Sequence, residues 1–124
     1  VNNHRPKNLD LGTIRFPVTA IASIIHRVTG VGLFFAVGFL VWALGLSLES
    51  RQGFDQVAAV LTHPLAKLIT WGILSLVVYH FIAGIKHLIM DAGYAETLNG
   101  GTWASRIALV LAVAGIVLMG VWVW

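Results

Sequence analysis

The chain has 124 residues, of which 58% are hydrophobic and 10% charged, with a formal net charge of +3 and no cysteine. A soluble domain carries about 25% charged residues, so this composition, with a mean hydropathy of +0.87, predicts an integral membrane protein with no separate soluble domain. The basic residues are dispersed and form no stripe of the kind that binds nucleic acid, and the lack of thiols excludes cysteine-ligated iron–sulfur clusters and thioether-attached haem on this chain.

Residues 1–19 are polar and basic and are punctuated by Pro6, Gly12 and Pro17. They read as an N-terminal arm lying on a membrane face or a partner protein, and not as a secretory signal, because the apolar run that follows is too long. Pro17 is suited to end any structure before it and to start a helix after it. A first hydrophobic span follows at about residues 20–48, longer than the ~20 residues a bilayer needs. Gly30, Gly32, Gly38 and Gly45 recur along it and predict close helix packing. Residues 49–63 read as a loop in which Phe54, Val57, Ala58 and Leu61 fit one short interfacial amphipathic helix. Pro64 opens a second span at about 66–90. Residues 91–103 form a second loop with Asn99-Gly100-Gly101 as its turn, and a third span covers about 104–122. The expected fold is thus an all-α membrane protein: the arm, then a three-helix transmembrane domain over 20–124.

Three spans put the two ends of this domain on opposite sides of the bilayer. One side then holds Arg5, Lys7, Arg15, Arg27, Lys86 and Arg106, and the other only Arg51 and Lys67. The positive-inside rule therefore predicts a cytoplasmic N-terminus. Trp71, Trp103, Trp122 and Trp124 fall near span ends, as interfacial tryptophans do; Trp42 lies further in.

Within the second span, His80, Gly84 and His87 stand at i, i+4 and i+7 on one helical face. An ionisable side chain inside a membrane is costly and points to function. An imidazole with a glycine one turn away suits a haem, the first to ligate iron and the second to let a flat ring approach. The same pattern also suits a histidine hydrogen-bonded between packed helices. At about 1.5 Å per residue, Ser23, His26 and Arg27 fall in the same leaflet as Lys86 and His87, with His80 roughly 10 Å beneath His87. Carboxylates such as haem propionates would find guanidinium and imidazolium partners there. His26 is expected nearer the surface than His80, so a second axial ligand would come from another subunit.

Ser23 and Arg27, one turn apart, offer a hydroxyl and a fixed cation for a quinone carbonyl. The competing readings are a snorkelling arginine and a serine bonded back to its own helix. Asp91, just past the second span, is a proton-relay candidate or a solvated carboxylate. His4 and His63 read as ordinary tail and loop residues.

Two segments carry a family resemblance. Arg5-Pro-Lys-Asn-Leu-Asp-Leu11, Ile14-Arg-Phe-Pro17 and Ser23-Ile-Ile-His-Arg-Val-Thr-Gly30, followed by His80-Phe-Ile-Ala-Gly-Ile-Lys-His-Leu-Ile-Met-Asp91, resemble the two signatures of the cytochrome b membrane-anchor subunit of succinate dehydrogenase, respiratory complex II, in its proteobacterial form. The resemblance implies a helix bundle shared with a second small anchor subunit in the bacterial inner membrane, docked to a flavoprotein and an iron–sulfur subunit. It implies that His80 is this chain's axial ligand to haem b, the other coming from the second anchor. It implies further that His26, Arg27 and His87 lie near the haem propionates, that Ser23 and Arg27 line the ubiquinone site, and that Asp91 joins proton delivery. Lys86 stands where the family commonly has arginine, and Lys7 where it commonly has an apolar residue. The rival expectations are a menaquinone-using fumarate reductase anchor, a purely structural anchor, and a small transporter moving protons or ions through His80 and Arg27.

Overall fold

The structure, a computed structural model, describes residues 7–124. His4, Arg5 and Pro6, which the sequence assigns to the arm, lie outside the described residues. Four helices follow in order: α1 (Val18–Glu49), α2 (Arg51–Leu61), α3 (Pro64–Asp91) and α4 (Leu98–Val123). Of these, α1, α3 and α4 are each long and apolar enough to cross a membrane, at 32, 28 and 26 residues. There is no strand among the described residues.

Local chemistry sets each boundary. Pro17 is the N-cap of α1 with ψ of 157°, and its carbonyl accepts from the backbone N–H groups of Ala20 and Ile21. The last two residues of the expected arm, Val18 and Thr19, are therefore already helical. Ser50 breaks the chain direction between α1 and α2, and its hydroxyl accepts from the Gly53 N–H. This cap lets α2, the expected amphipathic segment, begin directly after α1. His63 is more than a loop residue: its Nδ1 accepts from the Leu65 N–H and caps α3, with Pro64 at the first helical position.

The second connection corrects the sequence reading. Asn99-Gly100-Gly101 is not the turn but the first turn of α4, which starts at Leu98 and not near 104. Thr97 caps it by accepting from the Gly100 N–H at 3.0 Å, and a Cβ at position 100 would come within 2.9 Å of both Ala95 Cα and Thr97 Oγ1. The glycine is there to clear the chain that folds under it. The reversal itself lies at Gly93 and Ala95, both at positive φ.

Helix α3 is central, packed on one side against α1 and on the other against α4; α1 also touches α4, and α2 rests on α1 and α3. The α3–α4 seam follows from a row of small residues. Gly101, Ser105, Ala108 and Ala112 are the buried residues of α4, and their alternating spacing of four and three keeps them on one face. Gly115 continues the row: a Cβ there would lie 2.7 Å from Val78 Cγ1. Such a row lets two helix backbones approach closely, the usual basis of packing where lipid removes the hydrophobic drive between helices. Trp71 locks the far end by donating its Nε1–H to the Ile116 carbonyl at 2.9 Å, against Gly120. Trp71, expected near a span end, thus also serves as an interhelical clamp. Trp103 and Trp124 do carry cations, Arg106 and Lys67, over their rings.

The glycines of α1 divide. Gly30 and Gly32 lie against His80 and Leu76 of α3, as expected, but nothing approaches Gly38 or Gly45 within 4 Å of where a Cβ would sit. Half of the predicted packing therefore has no counterpart within this chain. The outer faces of α1 and α4 carry many exposed large apolar side chains, Phe34, Phe35, Trp42, Leu118 and Val121 among them.

Candidate functional site

The α1–α3 seam is built differently, from polar groups. Tyr79 is buried, and its hydroxyl donates to the Ala22 carbonyl at 2.8 Å. One residue on, His80 Nδ1 lies 3.1 Å from the His26 carbonyl and 3.1 Å from Thr29 Oγ1. Ala22 and His26 are one turn apart on α1, so two consecutive α3 side chains reach two successive carbonyls of the same helix.

These contacts fix the state of the His80 ring. A carbonyl oxygen can only accept, so the contact with His26 requires the hydrogen on Nδ1. Thr29 agrees: its hydroxyl donates its one hydrogen to the same His26 carbonyl at 2.8 Å, which leaves only acceptor lone pairs toward Nδ1. The neutral imidazole then has its free lone pair on Nε2. The neighbouring ring atom, Cε1, also faces α1, where a Cβ at Gly30 would come within 3.1 Å of it. The Nδ1–Cε1 edge is therefore held against α1, with Nε2 unencumbered by these bonds.

Three histidines meet here. The His26 ring stacks on His80 with centroids 4.0 Å apart and planes inclined by 10°. His87 is tilted against His26 at 5.0 Å. Counted from the helix ends, His26 lies nearer the surface than His80 by roughly 4 Å, a difference the side chains bridge. A Cβ at Gly84 would face His26 Nε2 at 3.7 Å. The space that Gly84 was expected to leave for a flat cofactor is therefore adjacent to an imidazole.

Lys86, expected in the same leaflet as His87, packs toward α4. It is not on the histidine face but buried at 7% exposure, with Nζ 3.4 Å from the hydroxyl of the fully buried Ser105 on α4. At 100° per residue, position 86 is about 120° round the helix from position 80, which puts it in the α3–α4 seam. Ser23 is half-buried and Arg27 exposed on α1. Asp91 closes α3 and is exposed. The structure brings His26, His80 and His87 together, and leaves Arg27 and Asp91 at the surface of this chain.

These residues fit a haem as one half of a site. His80 could supply one ligand nitrogen, its other ring nitrogen lying 3.1 Å from a carbonyl, the arrangement found for metal-ligating histidines generally. His26, whose ring stacks face to face on His80, is not placed to share a metal with it, so a haem held by His80 would take any second ligand from outside this chain. No group of three or more His, Cys, Asp or Glu side chains among the described residues is placed to hold a bare metal ion. Sequence reasoning missed Thr29, Tyr79 and Ser105. The signal was there for the first two: polar groups inside an apolar run, beside or one turn from the histidines already singled out.

Comparison with known proteins agrees with the residue-level picture. Over residues 1–121 the chain matches the family described as succinate dehydrogenase/fumarate reductase transmembrane subunit. It is 38% identical over 125 residues to the succinate dehydrogenase cytochrome b556 subunit of Coxiella burnetii, with both chains covered completely. It is 32% identical to the cytochrome b556 subunit of Paracoccus denitrificans, covering 89% of this chain and 88% of the other. The cytochrome b560 subunit of Reclinomonas americana is also 32% identical, over 90% and 81%. With three apolar helices of spanning length, a histidine seam between two of them and full-length relatives of one kind, the chain belongs to the family of succinate dehydrogenase/fumarate reductase transmembrane subunits.

Proposed function

We propose that this chain is the larger membrane anchor of a succinate:ubiquinone oxidoreductase, in which His80 ligates haem b through Nε2 and Ser23 and Arg27 contribute to the ubiquinone-reduction site. The observation that carries the first part is the 3.1 Å approach of His80 Nδ1 to the His26 carbonyl, which a hydrogen on Nδ1 would satisfy and which would leave the Nε2 lone pair of a neutral imidazole free. A histidine that only packed between helices could make the same bond, so the spectral test below is what separates the two readings.

The other roles follow from chemistry and position. Haem b, when bound, alternates between ferric and ferrous iron and so holds one electron. His26 and His87 flank His80 and donate hydrogen bonds to the haem propionates, with Arg27 as the cation of that layer. Arg27 also stabilises the negative charge that develops on a quinone oxygen during reduction, with the Ser23 hydroxyl as second donor. Asp91 delivers protons from the aqueous face. The second axial ligand comes from the second small anchor subunit, and the flavoprotein and iron–sulfur subunits dock on the cytoplasmic side, where the arm and most basic residues lie. The assembly resides in the bacterial inner membrane. The family description also covers fumarate reductases; the relatives cited above are named for succinate dehydrogenase, which favours ubiquinone reduction over the menaquinone-linked reverse reaction.

The test is the reduced-minus-oxidised visible spectrum of the purified complex, with and without His80→Ala. The proposal predicts a b-type band in the parent that is lost in the variant. A purely structural anchor or a transporter would show no such band in either. For the quinone role, Arg27→Ala should suppress succinate–ubiquinone turnover at least tenfold while haem is largely retained. Undiminished turnover would remove Arg27 from the site.

A further inference from the structure

We infer that Thr29 is a positioning residue for His80: its hydroxyl, together with the His26 carbonyl, sets the tautomer and the rotation of the imidazole that faces the iron. The inference rests on the haem reading above and goes beyond it, because it assigns to a residue on α1 control over the electronic character of a ligand on α3.

The geometry bears on each part. Thr29 is 5% exposed, so no water competes for its hydroxyl. A threonine in a helix often bonds back to the preceding turn, and Thr29 does so, to the His26 carbonyl at 2.8 Å. That bond alone would be a local affair. Here it spends the only hydroxyl hydrogen and orients the oxygen as an acceptor toward His80 Nδ1, 3.1 Å away. Nδ1 thus lies within reach of two acceptors, of which the Thr29 oxygen is strengthened because its own hydrogen is donated onward to the carbonyl. Gly30 completes the device: its missing Cβ leaves room for Cε1 of the same ring. Consecutive residues of α1 therefore fix the ring, Thr29 by attraction and Gly30 by clearance.

The chemical consequence has a sign. Drawing the Nδ1 proton toward an acceptor raises electron density on Nε2 and makes it a stronger donor to iron, as outer-shell partners of ligating histidines do. A stronger donor favours ferric over ferrous iron. Loss of the Thr29 oxygen should weaken the donor and raise the haem midpoint potential. It should also release the ring to rotate about its bond to the metal.

The experiment compares Thr29→Val, which keeps shape and loses the acceptor, with Thr29→Ser, which keeps the hydroxyl, both in the assembled complex. Redox titration of the haem and low-temperature electron paramagnetic resonance of its ferric form supply readouts that do not depend on turnover. The valine variant should shift the ferric-to-ferrous ratio at fixed potential toward ferrous by up to about tenfold, equivalent to about 59 mV for one electron, and should alter the largest g value. The serine variant should match the parent in both. If the valine variant assembles poorly, Thr29→Cys, whose sulfur is a weak acceptor, provides the same comparison. A valine or cysteine variant with parental potential and g values would overturn the inference while leaving the haem reading intact. A parent complex without haem would instead remove the reading on which it stands.

Discussion

The two seams of α3 solve the same problem by different means. Toward α4 the helix is fitted by volume: Val78 enters the space over Gly115, Ala83 lies in one core cluster with Ala112, and Trp71 closes the far end over Gly120. Toward α1 it is fitted by hydrogen bonds, with Tyr79 and His80 reaching the carbonyls of Ala22 and His26. Volume fitting holds two helices together but says nothing about the rotation of any one ring. Hydrogen bonds of known donor and acceptor do. On the haem reading proposed above, the seam that would present a ligand in one orientation is the one where α3 side chains reach α1 carbonyls, while the α4 seam is built mainly on small residues. Lys86 is an exception to the division, a buried cation on the α4 side whose Nζ meets the Ser105 hydroxyl.

The largest effect should come from overfilling the polar seam. Gly30→Leu would drive a side chain into the His80 ring, and haem should be lost from an otherwise membrane-inserted protein, as read by the visible spectrum of extracted membranes. Retention of parental haem would mean that the ring is not held against α1. Next, Gly115→Leu should overpack the other seam at a cost of about 1–3 kcal/mol, seen as a lower unfolding temperature of the detergent-solubilised complex. The haem that remains should keep its parental potential, because the His80 bonds are untouched. A shifted potential in that variant would show that the two seams are coupled.

Tyr79→Phe should cost about 1 kcal/mol, the usual net worth of one hydrogen bond, and less if the membrane-embedded reference finds other partners. Since Tyr79 holds α1 one turn from His26, a small change in the g values of the ferric haem should accompany it. Gly38→Ala should be the mildest. Nothing in this chain stands within 4 Å of the new methyl group, so its effect on the subunit alone should stay within about 0.5 kcal/mol. A larger loss appearing only in the assembled complex would locate a partner helix at that face.

How much of this was legible beforehand follows the same division. Span length and apolarity were readable because a bilayer imposes them on composition, and the family signatures pointed to His80. The α2 segment was readable from four apolar residues at helical spacing. The start of α4 was not, because Asn99-Gly100-Gly101 has the composition of a turn, and only the Thr97 cap and the crowding by Ala95 explain its helical state. Counting residues put His26 nearer the surface than His80 but could not show that the two rings stack, because the count ignores the reach of both side chains. Thr29 stood one turn from His26 as a polar group in an apolar run, but its contact with His80 lies across the seam, fifty-one residues away in sequence, and spacing along one helix does not show that contact.

The most direct measurement is an experimental density map of the assembled complex at a resolution that separates the imidazole from the porphyrin. This account predicts iron at bonding distance from His80 Nε2, a ligand from another subunit on its opposite face, and Nδ1 still donated to the His26 carbonyl. A map with the His80 ring turned so that Nδ1 faces the metal, or with no porphyrin beside it, would contradict the central claim.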